Sequence, residues 1–294
     1  AAGANELAVR FETAAPGGVT LAKTFTFRRG SYVVGVKHEV VNAGAAAVTP
    51  QLYLQLVRDG NPARGESKWY FTFTGPAVYT EAKRYEKIDF KDIEKGKTSH
   101  VASATDGWIA MVQHYFVGAW LPRAGEQREY FARALGNNLF SAGVILPVAS
   151  IATGAEGAVS TRLYAGPQEQ DKLEGIAPGL DLVVDYSWLT VIAAPLFWVL
   201  SWFHNLTGNW GWAIILVTVA IKAIFFPLSA ASYKSMAKMR TITPRLQQLK
   251  ERFGDDRARL NQEMMKLYQT EKINPLGGCL PIVVQIPVFF ALYK

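Results

Sequence analysis

The chain has one cysteine, Cys279, in 294 residues, which excludes an internal disulfide framework and leaves the redox compartment undecided. Histidine is nearly as scarce, with four residues. His38, His100 and His114 fall in separate strand-like or loop-like stretches without HExxH or similar ligand spacing. Each reads as an ordinary strand histidine, and no metal site is expected. No GxSxG elbow or glycine-rich phosphate loop follows a strand, and the acidic residues are scattered. No catalytic constellation remains, so neither an enzymatic activity, nor a cofactor, nor a small-molecule substrate is expected. These absences do not touch a carbohydrate site, which leaves no short motif on a β-sandwich.

Charge is also unevenly spread. Lys and Arg number 31 against 24 Asp and Glu, for a net charge of +7. Much of that excess lies between Ser229 and Lys272, so a chain-wide role in nucleic-acid binding has little support. Half of the residues are hydrophobic, yet the mean hydropathy is near zero, because a soluble part is averaged with a membrane part. The length suggests about two domains.

From Glu6 to about Ala165 the sequence alternates as strands do, in Leu21–Phe27, Ser31–Val41, Gln51–Val57 and Trp69–Thr74. The alternation returns in YEKIDF, GWIAMVQHYFVGAWL, REYFARA and VSTRLYAG, and turn clusters such as APGG, RRGS, RDGNPARG and TGAEG punctuate the runs. Many strands without intervening helices predict a large antiparallel β-sandwich over residues 1–167. Such a domain without a site motif reads as a binding or scaffold module.

Residues 168–208 change character. A short polar helix and a Pro-Gly linker come first, then SWLTVIAAPLFWVLSWFHNLTGNW, with Trp188, Trp198, Trp202 and Trp210 and a central Pro195. The tryptophan spacing and the proline favour an amphipathic helix lying in the membrane interface over a spanning one.

From Gly211 to Leu228 the chain is apolar apart from Thr218 and Lys222, long enough for one transmembrane helix, expected at 209–229. A charged side chain in hydrocarbon costs several kcal/mol and marks a functional site by default. Thr218 and Lys222 are four residues apart and share a helix face.

Residues 230–273 read as a basic helical hairpin. Apolar residues recur at helical spacing at Met236, Met239, Ile242, Leu246, Leu249 and Phe253, then at Leu260, Met264 and Leu267. Between the two sets, Phe253-Gly254-Asp255-Asp256 supplies a C-terminal glycine and an N-cap aspartate. Lys250, Arg252, Arg257 and Arg259 cluster at the tip, as a solvated face or as contacts for anionic lipid or ribosomal RNA. The positive-inside rule puts this block in the cytoplasm and the sandwich on the other side. Residues 274–294 begin another membrane helix after a turn at Pro275, with Pro281, Pro287 and Gln285 within it. The opening AAGANELAVRF has no basic or apolar leader pattern. A fragment is therefore expected, lacking a targeting element before it and further membrane helices after it.

Four segments carry a family resemblance: YAGPQEQDKLEGIAPGLDLVVDY, GNWGWAIILVTVAIKAIFFPLSAASYKSMAKMR, ERFGDDRARLNQEMMKLYQTEKINPLGGCLP and VQIPVFFALY. Together they cover the chain from about Tyr164 to its end, and the sequence there resembles the YidC membrane protein insertases of the bacterial inner membrane. The β region agrees in type and position with that family's periplasmic domain, a supersandwich similar to sugar mutarotases. The resemblance implies a multi-pass inner-membrane protein that inserts and folds other membrane proteins, alone or with the Sec translocon. Its expected partners are nascent membrane proteins, the translocon, the ribosome and the phospholipid bilayer. It further implies a hydrophilic groove open to cytoplasm and lipid, lined here by Lys222, Thr218 and Gln285. At Lys222 the family has arginine, so this chain keeps the charge but loses the guanidinium fork. The alternative is a membrane-anchored carbohydrate-binding or mutarotase-like domain, and a third reading is an assembly platform.

Overall fold

The computed structural model describes residues 4–62, 72–184, 189–254, 256–271 and 280–293. The strand expected at Trp69–Thr74, the turn at Pro275, and Trp188, Asp255 and Cys279 lie wholly or partly outside them. The chain divides into two compact units, 1–185 and 186–294.

The first unit is built from β1 (Glu6–Ala15), β2 (Val19–Arg28), β3 (Val33–Asn42), β4 (Gln51–Asp59), β5 (Gly75–Thr80) and β6 (Arg84–Lys87). A short helix, α1 (Phe90–Glu94), follows, and then β7 (Ser103–Ala104), β8 (Trp108–Val112), β9 (Phe116–Leu121), β10 (Arg128–Gly136), β11 (Leu139–Pro147) and β12 (Glu156–Pro167). They form an eight-stranded sheet in the order β1-β2-β3-β12-β9-β8-β5-β6 and a four-stranded sheet in the order β4-β11-β10-β7. Every pairing is antiparallel, as expected for short alternating runs joined by turns.

Two cores hold this unit. The first lies between the sheets, where Val36, Ile109 and Trp120 meet Leu54, Val144 and Leu146. The second lies on the opposite face of the large sheet. There Tyr79, Trp108, Ala110, Val117 and Tyr164 are covered by Leu173 of α2 (Gln170–Glu174) and by Leu180 and Val183 of a 3-10 turn (Leu180–Val183). The stretch expected to be a polar helix and a free linker is therefore part of the domain. Its few apolar residues face one way, and full burial of each leucine contributes about 2 kcal/mol. Gly179 makes the close approach possible. It has φ +68°, and a Cβ there would lie 2.2 Å from the Tyr79 ring.

Burial on both faces explains why GPAVYT, the sequence of β5, was not among the runs read as alternating. All of β5 and all of β8 are buried, as a doubly covered sheet requires. GWIAMVQHYFVGAWL is a hairpin, closed by the Gln113 N–H donating to the Phe116 carbonyl at 2.9 Å. In YEKIDF the strand stops at Lys87 and α1 begins at Phe90.

The second unit consists of α3 (Thr190–Thr207), α4 (Trp210–Phe253), α5 (Arg257–Thr270) and α6 (Leu280–Tyr293). Gly208 ends α3 in the left-handed conformation, φ +65°, and its N–H reaches the His204 carbonyl at 2.7 Å. Asn209 then caps α4, its side-chain oxygen accepting from the Gly211 N–H at 2.8 Å and the Trp212 N–H at 3.4 Å.

Helix α4 runs unbroken for 44 residues, about 66 Å. It is long and apolar enough to cross a membrane, with an 18-residue window of mean hydropathy 2.2. The boundary expected between 229 and 230 is thus no helix end. Hydropathy changes there, but Ala230, Ala231, Met236 and Ala237 favour helix. Pro227 and Pro244 are both carried inside the helix.

Helix α5 packs back on the far part of α4. Leu246, Leu249 and Phe253 are half-buried, as are Leu260, Met264 and Leu267. Asp256 caps α5 by accepting the Arg259 N–H at 3.0 Å. Gly254 stays right-handed, φ −59°, so it is not a left-handed terminator. In α6 only Pro287 is truly interior. Pro281 is the second described residue of that helix.

Candidate functional site

Helices α3, α4 and α6 pack on one another. The packed face of α4 is marked by buried Ala213 and Val217, with Leu216, Ala220 and Ile221 half-buried beside them. Thr218 and Lys222 lie off that face and are exposed. Four residues separate them, about 6 Å along the axis and about 40° around it, so their side chains form one short polar line. The Thr218 hydroxyl donates to the Ile214 carbonyl at 2.8 Å, which satisfies its own proton and leaves its lone pairs outward.

Gln285 is half-buried on α6. Among the described residues no hydrogen bond joins it to Thr218 or Lys222. The structure therefore places two of the three expected groove residues side by side and the third on a neighbouring helix.

The four basic residues expected at the hairpin tip are all exposed. The Arg252 and Arg259 guanidinium carbons sit 5.4 and 5.5 Å from the centre of the Phe253 ring, within cation–π range. Farther down, Arg245 Nη1 meets Glu271 Oε1 at 2.5 Å, which ties the two arms together. The Lys266 ammonium, by hydrogen bond and charge, holds the Glu263 carboxyl below the usual carboxylate range, with Arg259 and Arg252 adding to the effect.

Sequence reasoning missed the cavities of the β unit. One, of about 280 Å³, is lined by Tyr79, Glu81, Asp106, Arg123, Ser160 and Arg162 among others. Arg128 organises its rim. Its guanidinium is buried and donates to the carbonyls of Glu126 (3.0 Å), Gly107 (2.9 Å), Thr105 (3.1 Å) and Arg123. Tyr130 donates its hydroxyl to the Asp106 carbonyl at 2.8 Å, and burial pushes its pKa up to about 12. No local pattern reveals this site, because separate strands and turns each contribute a few residues.

A second cavity, of about 390 Å³, lies beside Phe11, Leu21, His38, Leu52 and Val159. Burial, and then the charge of Lys23, push the His38 pKa down to about 4. Among the described residues no cluster of three His, Cys, Asp or Glu side chains is arranged to hold a metal ion.

Comparison with known proteins bears on both units. The family profile of the YidC periplasmic domain matches residues 1–199, and that of the 60Kd inner membrane protein matches residues 202–294. The membrane protein insertase YidC of Aromatoleum aromaticum is 62% identical over 292 residues, covering 99% of this chain and 53% of the relative. That of Dechloromonas aromatica is 61% identical over 292 residues, with the same 99% and 53% coverage. That of Burkholderia thailandensis is 56% identical over 293 residues, covering 100% and 52%. The chain spans about half the length of these curated relatives.

Among solved structures, a galactose mutarotase related enzyme from Lactobacillus acidophilus covers 55% of this chain and 68% of its own, at 7% identity and TM-score 0.35. A galactose mutarotase-like protein from Lactobacillus casei covers 55% and 70%, at 10% identity and TM-score 0.32. Likeness of that size carries no argument about function.

Proposed function

Because the chain belongs to the YidC membrane protein insertase family, we propose that the protein of which it is a part inserts and folds inner-membrane proteins through a hydrated groove on α4. The observation that carries this reading is the exposed Thr218–Lys222 line within the apolar part of the helix. A mere anchor gains nothing from a cation at that depth, which costs several kcal/mol in lipid.

In the groove the Lys222 ammonium attracts acidic residues of an entering chain and makes it cheaper for them to leave water. Field lines are focused by the low-dielectric walls, so one charge acts at longer range than it does in solution. Thr218 and Gln285 extend the polar surface on which a partly inserted segment rests. No bond of the substrate is made or broken.

The β unit faces the periplasm and the basic hairpin faces the cytoplasm, as the charge distribution favours. At the tip Lys250, Arg252, Arg257 and Arg259 meet ribosomal RNA or anionic lipid, contacts that weaken with salt. The protein works alone or beside the Sec translocon.

The test is substitution at Lys222 in the full-length protein, with insertion measured for substrates that have acidic or neutral translocated segments. Lys222→Arg keeps activity. Lys222→Ala slows the acidic class severalfold and the neutral class much less. Equal effects on both classes at matched protein levels would instead favour a lysine that snorkels to the interface, about seven residues or 10 Å away at Ser229.

A further inference from the structure

The cavity beside Arg128 coincides with a discontinuity in the large sheet. Strand β12 pairs with β3 from Glu156 to Tyr164, but with β9 only from Arg162 to Pro167. At Leu121, the partner of Arg162, β9 stops and the chain turns away through Pro122, Arg123 and Ala124 toward β10. Among the described residues, β12 from Glu156 to Thr161 thus has a neighbour on one side only.

Alternation along the strand identifies which backbone groups are left over. The Ala165 N–H donates to the Tyr32 carbonyl, on the β3 side, at 3.0 Å, and the Gln168 N–H donates to the Tyr115 carbonyl, on the β9 side, at 2.9 Å. Odd-numbered residues therefore face β3 and even-numbered ones face β9. Ser160 and Ala158 point toward the space that β9 has vacated, and neither forms a backbone hydrogen bond to another element among the described residues. The cavity of about 280 Å³ opens at Ser160, with Leu121, Pro122, Arg123 and Ala124 across from it.

The geometry points to a docking slot for an extended polypeptide, which continues the line of β9 and pairs its backbone with Ser160 of β12. Main-chain pairing of this kind supplies affinity for a strand without regard to its sequence. The rim agrees with weak sequence preference, because acidic Glu81 and Asp106 face basic Arg123 and Arg162. One of these charges is already engaged, since Asp106 accepts the Glu81 N–H at 2.6 Å.

A sugar fits the slot poorly. The aromatic rings that line it, Tyr79 and Trp108, are stacked on each other at 5.6 Å and 11°. They are only 6% and 1% exposed, and Gly179 closes on the Tyr79 ring. Among the described residues lining it, no open aromatic platform is left for a pyranose. The guanidinium of Arg128 keeps the slot open by holding the turns at Thr105–Gly107 and Arg123–Glu126 in place.

The test uses the full-length protein in lipid nanodiscs. The probe is a fluorescein-labelled peptide of alternating threonine and valine, with terminal lysines for solubility, and binding is read by anisotropy. Three changes follow: N-methylation of alternate peptide residues, Ser160→Pro, and Ala124→Trp, which fills the slot from an exposed position and does not depend on how Ser160→Pro folds. The expected result is binding that weakens about tenfold or more with the methylated peptide and with each folded variant, and that excess galactose does not disturb. Absence of binding, equal binding of the methylated peptide, unchanged binding to Ala124→Trp, or displacement by galactose would overturn the proposal. Membrane insertion is not the readout, so these results are independent of the role given to Lys222.

Discussion

His38 and Arg128 both sit inside the β unit, and their surroundings act on them differently. Arg128 remains charged because four carbonyls replace the water it has lost. For His38 burial comes first and the nearby Lys23 charge second, and both favour the neutral ring. Its folded pKa of about 4 lies below the ordinary 6.5. Between those values the unfolded chain takes up a proton that the folded chain refuses. Stability is therefore lost as pH falls from 6.5 toward 4, and this group adds no further loss below that. Urea unfolding followed by tryptophan fluorescence is predicted to show a shallower slope in that window for His38→Leu; an unchanged slope would mean that other groups carry it. The sequence marked His38 as an ordinary strand histidine and marked Lys222 as exceptional, because a cation in an apolar run is visible without coordinates. Arg128 was not legible. In REYFARA it is one more charge, and two of its four carbonyl partners, Thr105 and Gly107, come from a turn more than 20 residues away.

At the scale of elements, the ends of helices were easier to read than their continuity. An aspartate cap between the two arms was expected and Asp256 supplies it, whereas Asn209, which caps α4, was not singled out. The change from apolar to basic composition near Ser229 has no counterpart in the backbone, because α4 continues to Phe253. The hairpin consequently has no flexible joint at its membrane end, and its α4 arm is an extension of the spanning helix. Its tip depends on Phe253, which is half-buried and flanked by Arg252 and Arg259. Phe253→Ala is predicted to destabilise the hairpin by about 1 kcal/mol or more, from lost packing and lost cation–π contact. Amide hydrogen exchange in α5 measures this. Unaltered exchange would show that the Arg245–Glu271 pair and the leucine stripes hold the arms without the ring. Strands were legible where one face of the sheet is open and harder to read where both are covered, as in β5, since alternation vanishes once polar residues are excluded from either side.

At the scale of the whole molecule, the segment at 170–183 belongs to the β unit through its second core. A deletion that stops inside the sheet removes partners of β12 and exposes both cores, so it tests folding rather than function. Leu180→Asp isolates the matter, because Leu180 is fully buried and a carboxylate there has no partner. It is predicted to lower the stability of the β unit by about 3 kcal/mol or more, read as a lower Tm by tryptophan fluorescence, and an unchanged Tm would mean the segment docks only loosely. The family itself was legible from about Tyr164 onward, in the segments around the spanning helix and hairpin, whereas the β region offered only pattern. The central claim is that an entering chain rests on the side of α4 that carries Thr218 and Lys222. The most direct measurement is photocrosslinking of a stalled nascent membrane protein to the full-length protein, with the crosslinker placed at Thr218 or at Ile224, an exposed position about 120° around the same helix. Strong crosslinks from position 218 and weak ones from 224 are predicted; equal yields from both, or a preference for 224, would contradict the groove.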